Sequence, residues 1–249
     1  MNATSGQVLR GIVAQTRMEV LLTLRRGENV LVTMFIPALL LVFFASLDVI
    51  PANESKTGFL LPGILALAVI STSMVSLGIA TAFQRQYGVL KRLGGTPLPK
   101  AGLIASKIAS VLVLELAQVI VLVLIATLGY GWHLDASFGL TIGVLLLGTA
   151  TFAGIGLAMA GSLRAEATLA LANGLYILFL VLGDIVMPLD HLPKALRTVS
   201  TYLPATAFSQ SLRVTTGYAH QDSGVLALSL LGVWAVIAVA AAVRFFRWF

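Results

Sequence analysis

The sequence contains no cysteine among its 249 residues, and charged residues make up only 10% of the chain. Without cysteine there is no disulfide framework, no thiol nucleophile and no thiolate metal site. The sequence also lacks the P-loop pattern, the H-E-x-x-H zinc motif and the G-x-S-x-G nucleophile turn. Its three histidines, His133, His191 and His220, lie far apart in connecting segments. We therefore expect no catalytic residue, no metal site and no cofactor in this chain.

The chain is instead rich in long apolar runs, with 58% hydrophobic residues and a mean hydropathy of +0.98. Six runs have roughly the 20 residues that a helix needs to cross the hydrocarbon of a bilayer. Their approximate limits are 30–49, 59–83, 103–129, 138–161, 168–187 and 225–246. The alternating pattern of a membrane barrel is missing, so we predict an all-α integral membrane protein with six transmembrane helices.

Basic residues fall at the ends of these runs. With the runs as spans, twelve lysines and arginines lie on one side, and four, Lys56, Lys194, Arg197 and Arg213, lie on the other. Positively charged loops remain in the cytoplasm. We therefore expect both termini in the cytoplasm, and we assign the positive charge to membrane orientation rather than to nucleic-acid binding.

The segment before the first run, residues 6–27, is amphipathic. Val8, Ile12, Val13 and Val20 recur at helical spacing, with the arginines on other faces. This pattern predicts an interfacial helix that lies on the inner membrane surface. The alternative is a charged leader that only sets the topology.

The connection before the last run, residues 188–224, also keeps a helical period. Leu192, Leu196 and Val199 follow that period, which Pro204 interrupts. The segment is too apolar for a solvated loop and too broken for a span. It predicts two short re-entrant helices on the extracellular side, covered by protein.

Four polar residues inside the predicted spans are candidates for a substrate path or a subunit interface: Glu115 and Gln118 in the third span, and Asn173 and Asp184 in the fifth. A carboxylate at membrane depth is costly unless it is paired, protonated or open to a cavity. The alternative for each is a hydrogen bond that holds two helices together. We assign that packing role to a set of small residues, Ser71, Thr72, Ser73, Ser76, Gly139 and Gly143.

The connection RQYGVLKRLGGTPLPK, residues 85–100, carries four basic residues and no acidic one. On a helical wheel its apolar residues cover one half and its basic residues the other. Gly94 and Gly95 would stop such a helix, and Pro97 and Pro99 would prevent it from resuming. Orienting the membrane requires only charge, so this punctuated helix favours a docking element.

Two segments resemble known sequences. FQRQYGVLKRLGGTPLPK is similar to the first cytoplasmic loop of ABC-2-type exporter permeases, which has G-x-L-K/R-R-L followed by T-P-L. PLDHLPKALRTVSTYLPATAFSQSLR is similar to the segment before the last span in that family. The resemblance covers essentially the whole chain, residues 1–249, as a single transmembrane domain, and is greatest to the bacterial drug and antibiotic exporters. Family members often have Glu where this chain has Gln84 or Gln86.

The resemblance implies that the connection is a coupling helix, which fits a groove on a separate ABC ATPase subunit. Its docking residues would be Arg85, Gln86, Tyr87, Gly88, Val89, Leu90, Lys91, Arg92 and Leu93. It also implies a homodimer, or a heterodimer with a related permease, in the lipid of the bacterial plasma (inner) membrane. ATP and Mg would be bound by the ATPase partner.

Under this interpretation the chain exports a hydrophobic or amphipathic substrate, such as a drug, an antibiotic or a lipid-like molecule. Two other functions remain open. The first is that of an ion-coupled secondary transporter with Glu115 as its ion site. The second is that of a structural or lipid-sensing membrane scaffold.

Overall fold

The computed structural model describes residues 5–25, 27–47, 56–93, 100–133, 137–218 and 224–245, and within these ranges it contains helices and no strand. A π-helical segment, Ile70–Ser76, joins two of the helices into one continuous helix, Lys56–Gln86. The helices are α1 (Ser5–Arg25), α2 (Gly27–Ser46), α3 (Lys56–Val69), α4 (Leu77–Gln86), α5 (Val89–Leu93), α6 (Lys100–Tyr130), α7 (Phe138–Ser162), α8 (Ala165–Leu182), α9 (Lys194–Thr201), α10 (Pro204–Thr215) and α11 (Gly224–Phe245).

Five helices in the described ranges are long and apolar enough to cross a membrane. They are Lys56–Gln86, Gly102–Tyr130, Phe138–Ser162, Ala165–Leu182 and Gly224–Phe245. The first predicted span, 30–49, coincides with α2, which contributes a shorter apolar helix, Thr33–Ser46; residues 48 and 49 lie outside the described part. The all-α membrane fold is therefore confirmed.

The fifth predicted span ends earlier than expected. We predicted 168–187, but α8 stops at Leu182 and residues 183–187 are irregular. Asp184 adopts a left-handed backbone conformation, with φ at 55°, which cannot continue a right-handed helix. Apolar composition alone did not reveal this break, because Ile185, Val186 and Met187 continue the hydrophobic run.

The predicted coupling helix also begins later than expected. Arg85 and Gln86 still belong to α4, and the separate helix α5 begins only at Val89. Gly88 provides the break between them because glycine adopts its φ of 69° without the steric cost that most other residues incur. The predicted stop at Gly94 and Gly95, and the prolines that follow it, lie outside the described residues.

The amphipathic segment at the beginning of the chain forms α1, close to the predicted 6–27. α1 packs along the beginning of α6, where the Thr16 hydroxyl donates a hydrogen bond to the Ser106 carbonyl, 3.4 Å away. Apolar side chains such as Leu9 and Val13 remain exposed on other faces of the helix. The segment is thus an integral part of the helix bundle.

The predicted pair of short helices before the last span is present as α9 and α10. The expectation that protein covers both was wrong for α9, where Ser200 is the one buried residue. Pro204 is the first residue of α10, where the missing N–H of proline costs no helical hydrogen bond. α10 is almost entirely buried and packs against α3, α7 and α11. Near its middle, Phe208 stands 5.8 Å from Phe152 of α7, measured between ring centroids. Residues 219–223 of the predicted segment lie outside the described ranges.

α7 and the π segment touch backbone to backbone. A Cβ added at Gly156 would lie 2.7 Å from the Met74 carbonyl oxygen, a distance that no real Cβ tolerates. Packing against another helix was expected instead at Gly139 and Gly143, but around both positions no described atom lies within 4 Å of an added Cβ. That expectation was wrong within the described chain. The close helix contact at Gly156 occurs more than three turns further along α7.

We predict that Gly156→Ala destabilises the protein by about 1–3 kcal/mol because α7 and the π segment would have to separate. Gly143→Ala is the matched control: its added methyl enters open space, so the variant is expected to be neutral or more stable by at most about 1 kcal/mol. Equilibrium unfolding in mixed SDS and dodecylmaltoside micelles measures both. Equal stabilities for the two variants would contradict the close contact.

Candidate functional site

The corner between α4 and α5, residues 85–93, presents a small surface of exposed apolar and basic side chains. Tyr87 is 69% exposed and Val89 is 38% exposed, and Lys91 and Arg92 beside them are also exposed. Leu90, by contrast, is fully buried at 0% exposure, and Leu93 is half-buried. The apolar half of the predicted helix is therefore divided. Tyr87 and Val89 face outward, whereas Leu90 packs into its own chain.

Two of the predicted docking residues are hydrogen-bonded within the chain. The Arg85 guanidinium donates to the carbonyls of Gly161 and Leu163, at the end of α7. These carbonyls have no partner within their own helix, and a cation suits the negative end of the helix dipole. Gln86 Nε2 donates to Glu166 Oε1 at 3.0 Å, in the first turn of α8. The corner is thus fastened to the connection between α7 and α8.

A buried ion pair lies behind this corner. Lys107 Nζ of α6 stands 3.0 Å from Glu19 Oε1 of α1, and Lys107 also donates to the side-chain oxygen of Gln84 in α4. These contacts join three helices beside the corner. From the sequence, Lys107 was one of the twelve basic residues assigned only to membrane orientation. The two charges are 88 positions apart, so no local sequence pattern indicates the pair.

A cleft of about 590 Å³ opens between α2, the π segment, α4 and α8. Tyr87 and Val89 of the corner line one end of it. There the ring of Phe83 stacks on that of Tyr87, with centroids 6.0 Å apart. The cleft and the exposed corner therefore share the same side chains.

The four polar candidates of the sequence analysis separate in the structure. Asn173 lines the cleft. Gln118 lies behind the wall that α2 and the π segment form on one side of the cleft. Its Oε1 accepts a hydrogen bond from Thr72 Oγ1 and its Nε2 donates one to the Thr33 carbonyl, both at 2.9 Å. Gln118 therefore ties α6 to the π segment and to α2.

Glu115 lies away from the cleft and is directed toward α7. Its Oε2 accepts a hydrogen bond of 2.5 Å from Thr149 Oγ1, and among the described residues its Oε1 has no partner. The two polar residues of α6 that are three positions apart thus serve different neighbours.

Asp184 lies at the opposite end of the bundle, in a buried cluster with Arg213. Arg213 Nη1 donates to Asp184 Oδ2 at 2.6 Å, and Gln210 Nε2 donates to the same oxygen at 3.1 Å. The Arg213 guanidinium also lies 3.7 Å from the centre of the Phe59 ring. Burial raises the pKa of the Asp184 carboxyl, and the Arg213 charge partly offsets that rise. This cluster joins α3, α10 and the irregular segment after α8.

A comparison with protein-family models matches the ABC-2 type transporter model to residues 10–216. The chain belongs to the ABC-2 type transporter family. The matched range runs from α1 to the end of α10, so it contains the corner, the cleft and the Asp184–Arg213 cluster. No curated protein matches the chain.

Membership of the ABC-2 family makes the chain a membrane-spanning transport subunit. Permeases of this family normally work with an ATPase subunit. The two sequence segments around the corner and α10 correctly predicted this family. Ser71 and Ser76 were predicted to serve helix packing, and no sequence pattern singled out Tyr176. All three line the cleft.

We predict that Arg213→Ala destabilises the protein by about 3–5 kcal/mol, because it leaves the buried Asp184 charge uncompensated. The control is Arg197→Ala, since Arg197 pairs with Asp190 at 2.7 Å on the exposed surface of the protein. An exposed pair contributes only about 0–1 kcal/mol. Thermal unfolding of the purified protein compares the two, and similar losses would argue against a structural role for the buried cluster.

Proposed function

We propose that this ABC-2 chain is the permease subunit of an ATP-driven exporter. A separate ATPase subunit docks on residues 87–93 of the corner, whose full range is 85–93. A hydrophobic or amphipathic molecule passes along the cleft. One observation carries this proposal: Tyr87 and Val89 are exposed at the corner and also line the cleft. A partner that displaces these side chains would therefore change the shape of the cleft directly.

Within this proposal, Tyr87 and Val89 fill an apolar groove on the partner. Lys91 and Arg92, which are exposed beside them, pair with acidic groups of the partner or with lipid phosphates. Leu90 keeps α5 attached to its own chain because it is buried. This division of roles replaces the continuous apolar face that the helical wheel predicted.

The contacts of Arg85 and Gln86 offer a route from the corner to the far wall of the cleft. They attach the corner to the end of α7 and to the first turn of α8. α8 then contributes Leu169, Asn173 and Tyr176 to the cleft. ATP binding to the partner would thus favour one of two helix arrangements through contacts that differ between them.

The assembly we propose has two permeases, identical or related, and two ATPase subunits in a bacterial plasma membrane. The α5 corner faces the cytoplasm in this arrangement, where ATP is available. ATP and Mg bind to the partner subunits, and this chain provides the path. Drugs or antibiotics are the substrates we propose, because the sequence resembles the drug and antibiotic exporters of the family.

We predict that the double variant Tyr87→Asp with Val89→Asp loses at least about nine-tenths of its co-purifying ATPase, because two apolar side chains that the proposed partner would cover become charged. The tagged chain is purified from its native membranes, and vanadate-sensitive ATP hydrolysis is measured. Mass spectrometry then checks that the recovered protein contains a P-loop.

The matched control is Tyr202→Asp with Val199→Asp. It changes the same two residue types, which are also exposed, in and directly after α9 at the opposite end of the bundle. This control should retain the ATPase. Recovery of a P-loop ATPase at the wild-type level with the corner variant would refute the docking site.

A second function, ion-coupled transport through Glu115, is favoured by a different observation. The Oε1 atom of this buried carboxylate has no partner among the described residues, as a site for a proton or a cation requires. The location of Glu115 away from the cleft weighs against this alternative.

We predict that Glu115→Gln leaves ATP-driven export unchanged within about twofold, because an amide oxygen also accepts the Thr149 hydrogen bond. Transport into inverted membrane vesicles is measured with ATP, and separately with an imposed pH gradient. Uptake that requires the pH gradient and is abolished by the substitution would establish the alternative and exclude the ATP-driven mechanism.

A further inference from the structure

The described residues that line the cleft carry no charge. None of the fourteen described residues that line it is acidic or basic. The chain nevertheless holds charges elsewhere in its interior: Lys107 pairs with Glu19, and Arg213 pairs with Asp184. Arg213 and Asp184 lie at the opposite end of the bundle, and Glu115 is directed toward α7. Lys107 lies behind Gln84 of the cleft wall, where its charge is neutralised by Glu19. A charged ligand in the cleft would find no compensating group, and that makes its transfer into a membrane unfavourable.

The cleft does offer hydrogen-bonding groups that are not used within the protein. Most buried hydroxyls in this chain donate to a carbonyl of their own helix, as Ser73 does to Val69 at 2.5 Å. Ser71 and Ser76 line the cleft from the same π segment, and their hydroxyls make no hydrogen bond within the described part of the chain. π segments occur frequently at functional sites.

The opposite wall has two more such groups. Asn173 uses only its Nδ2, which donates to the Leu169 carbonyl at 2.9 Å, and its Oδ1 accepts nothing from any described residue. The Tyr176 hydroxyl likewise has no hydrogen-bond partner in the ranges that the structure describes. Donors and acceptors therefore face the cleft from both α8 and the π segment.

The remaining surface of the cleft is apolar or aromatic. Ile36, Ile79 and Leu169 contribute aliphatic surface, and the stacked rings of Phe83 and Tyr87 close the end near α5. Aromatic faces favour flat rings in offset or edge-on contact. The volume of about 590 Å³ falls within the range of about 300–1,000 Å³ that is typical of small-molecule sites.

We infer that the cleft binds an uncharged, drug-sized molecule with a flat apolar body and hydrogen-bonding groups on two sides, and that the permease discriminates against cations and anions. This inference rests on the proposed function, because it makes that molecule the transported substrate. Ser71, Ser76 and Asn173 determine the preference for neutral molecules, because their hydroxyl and amide groups form hydrogen bonds but carry no charge that could pair with an ion.

Three dansyl probes of similar size test this inference: neutral dansylamide, the cationic trimethylammonium ester dansylcholine, and the anionic dimethylaminonaphthalene sulfonate. Fluorescence titration measures their binding to the full chain in lipid nanodiscs. Dansylamide should bind at least about tenfold more tightly than either charged probe. Ser71→Ala with Ser76→Ala should weaken dansylamide binding by about tenfold, since two hydrogen-bonding groups are removed.

Asn173→Asp provides the sharpest variant because it introduces a single negative charge into the cleft. This variant should reverse the selectivity, with dansylcholine gaining affinity and dansylamide losing it. The controls are Ser46→Ala and Ser229→Ala, whose hydroxyls already donate within their own helices at 2.7 and 2.8 Å. Both controls should bind all three probes as the wild type does.

The absence of cysteine from the sequence allows a second measurement that locates the probe. In the Ser76→Cys variant, dansylamide should slow labelling by N-ethylmaleimide, and the charged probes should not. In Ser46→Cys, no probe should change the labelling rate.

The inference is overturned if the wild type binds no dansyl probe, binds all three equally, or prefers a charged one. It is also overturned if Asn173→Asp leaves the preference unchanged or if Ser76→Cys is not protected. These titrations need neither ATP nor a partner subunit. Their failure is therefore distinguishable from failure of the proposed function, which depends on ATPase recovery with the corner variants.

Discussion

A hydrocarbon environment provides no hydrogen-bond partner, so every polar group inside the bundle must find one within the protein. Most of the interior of this chain follows that constraint. Gln118 connects Thr72 to the Thr33 carbonyl, Arg213 is surrounded by Asp184 and the Phe59 ring, and Lys107 is held between Glu19 and Gln84. Under the same constraint, a polar group without a partner is an exception that indicates a place where a ligand could bind. Among the described residues, the hydroxyls of Thr81 and Ser200 are buried singly without a partner, whereas Ser71, Ser76, Asn173 and Tyr176 bring several unpartnered groups together around one cleft.

The corner between α4 and α5 combines attachment and exposure within nine residues. Arg85 and Gln86 hold the corner to α7 and α8, and buried Leu90 holds α5 to its own chain. Tyr87 and Val89 remain free to contact another protein. This arrangement is physically sensible for a transmission element. A surface that must pass on a displacement requires firm connections on the inside as well as an accessible face on the outside.

The sequence predicted most of the fold, because membrane spans are determined by apolar length, and length is visible in one dimension. Helix limits at Leu182 and Val89 were missed because each depends on the backbone conformation of one residue, Asp184 and Gly88. The corner between α4 and α5 was located by its charge, glycines and prolines, but a helical wheel could not show that Leu90 is buried. The pairs Glu19–Lys107 and Asp184–Arg213 join residues distant in sequence, and no local pattern indicates them.

The direct contact between Gly156 and Met74 has a consequence for how the cleft can widen. With no side chain between the two backbones, the π segment has no compressible layer behind it, so that wall moves only if α7 moves too. α2 and α8 form the other sides of the cleft, and no glycine among their described residues brings either backbone into such direct contact with the π segment. We therefore expect widening to be asymmetric, with the π segment staying in place against α7 while α2 and α8 move.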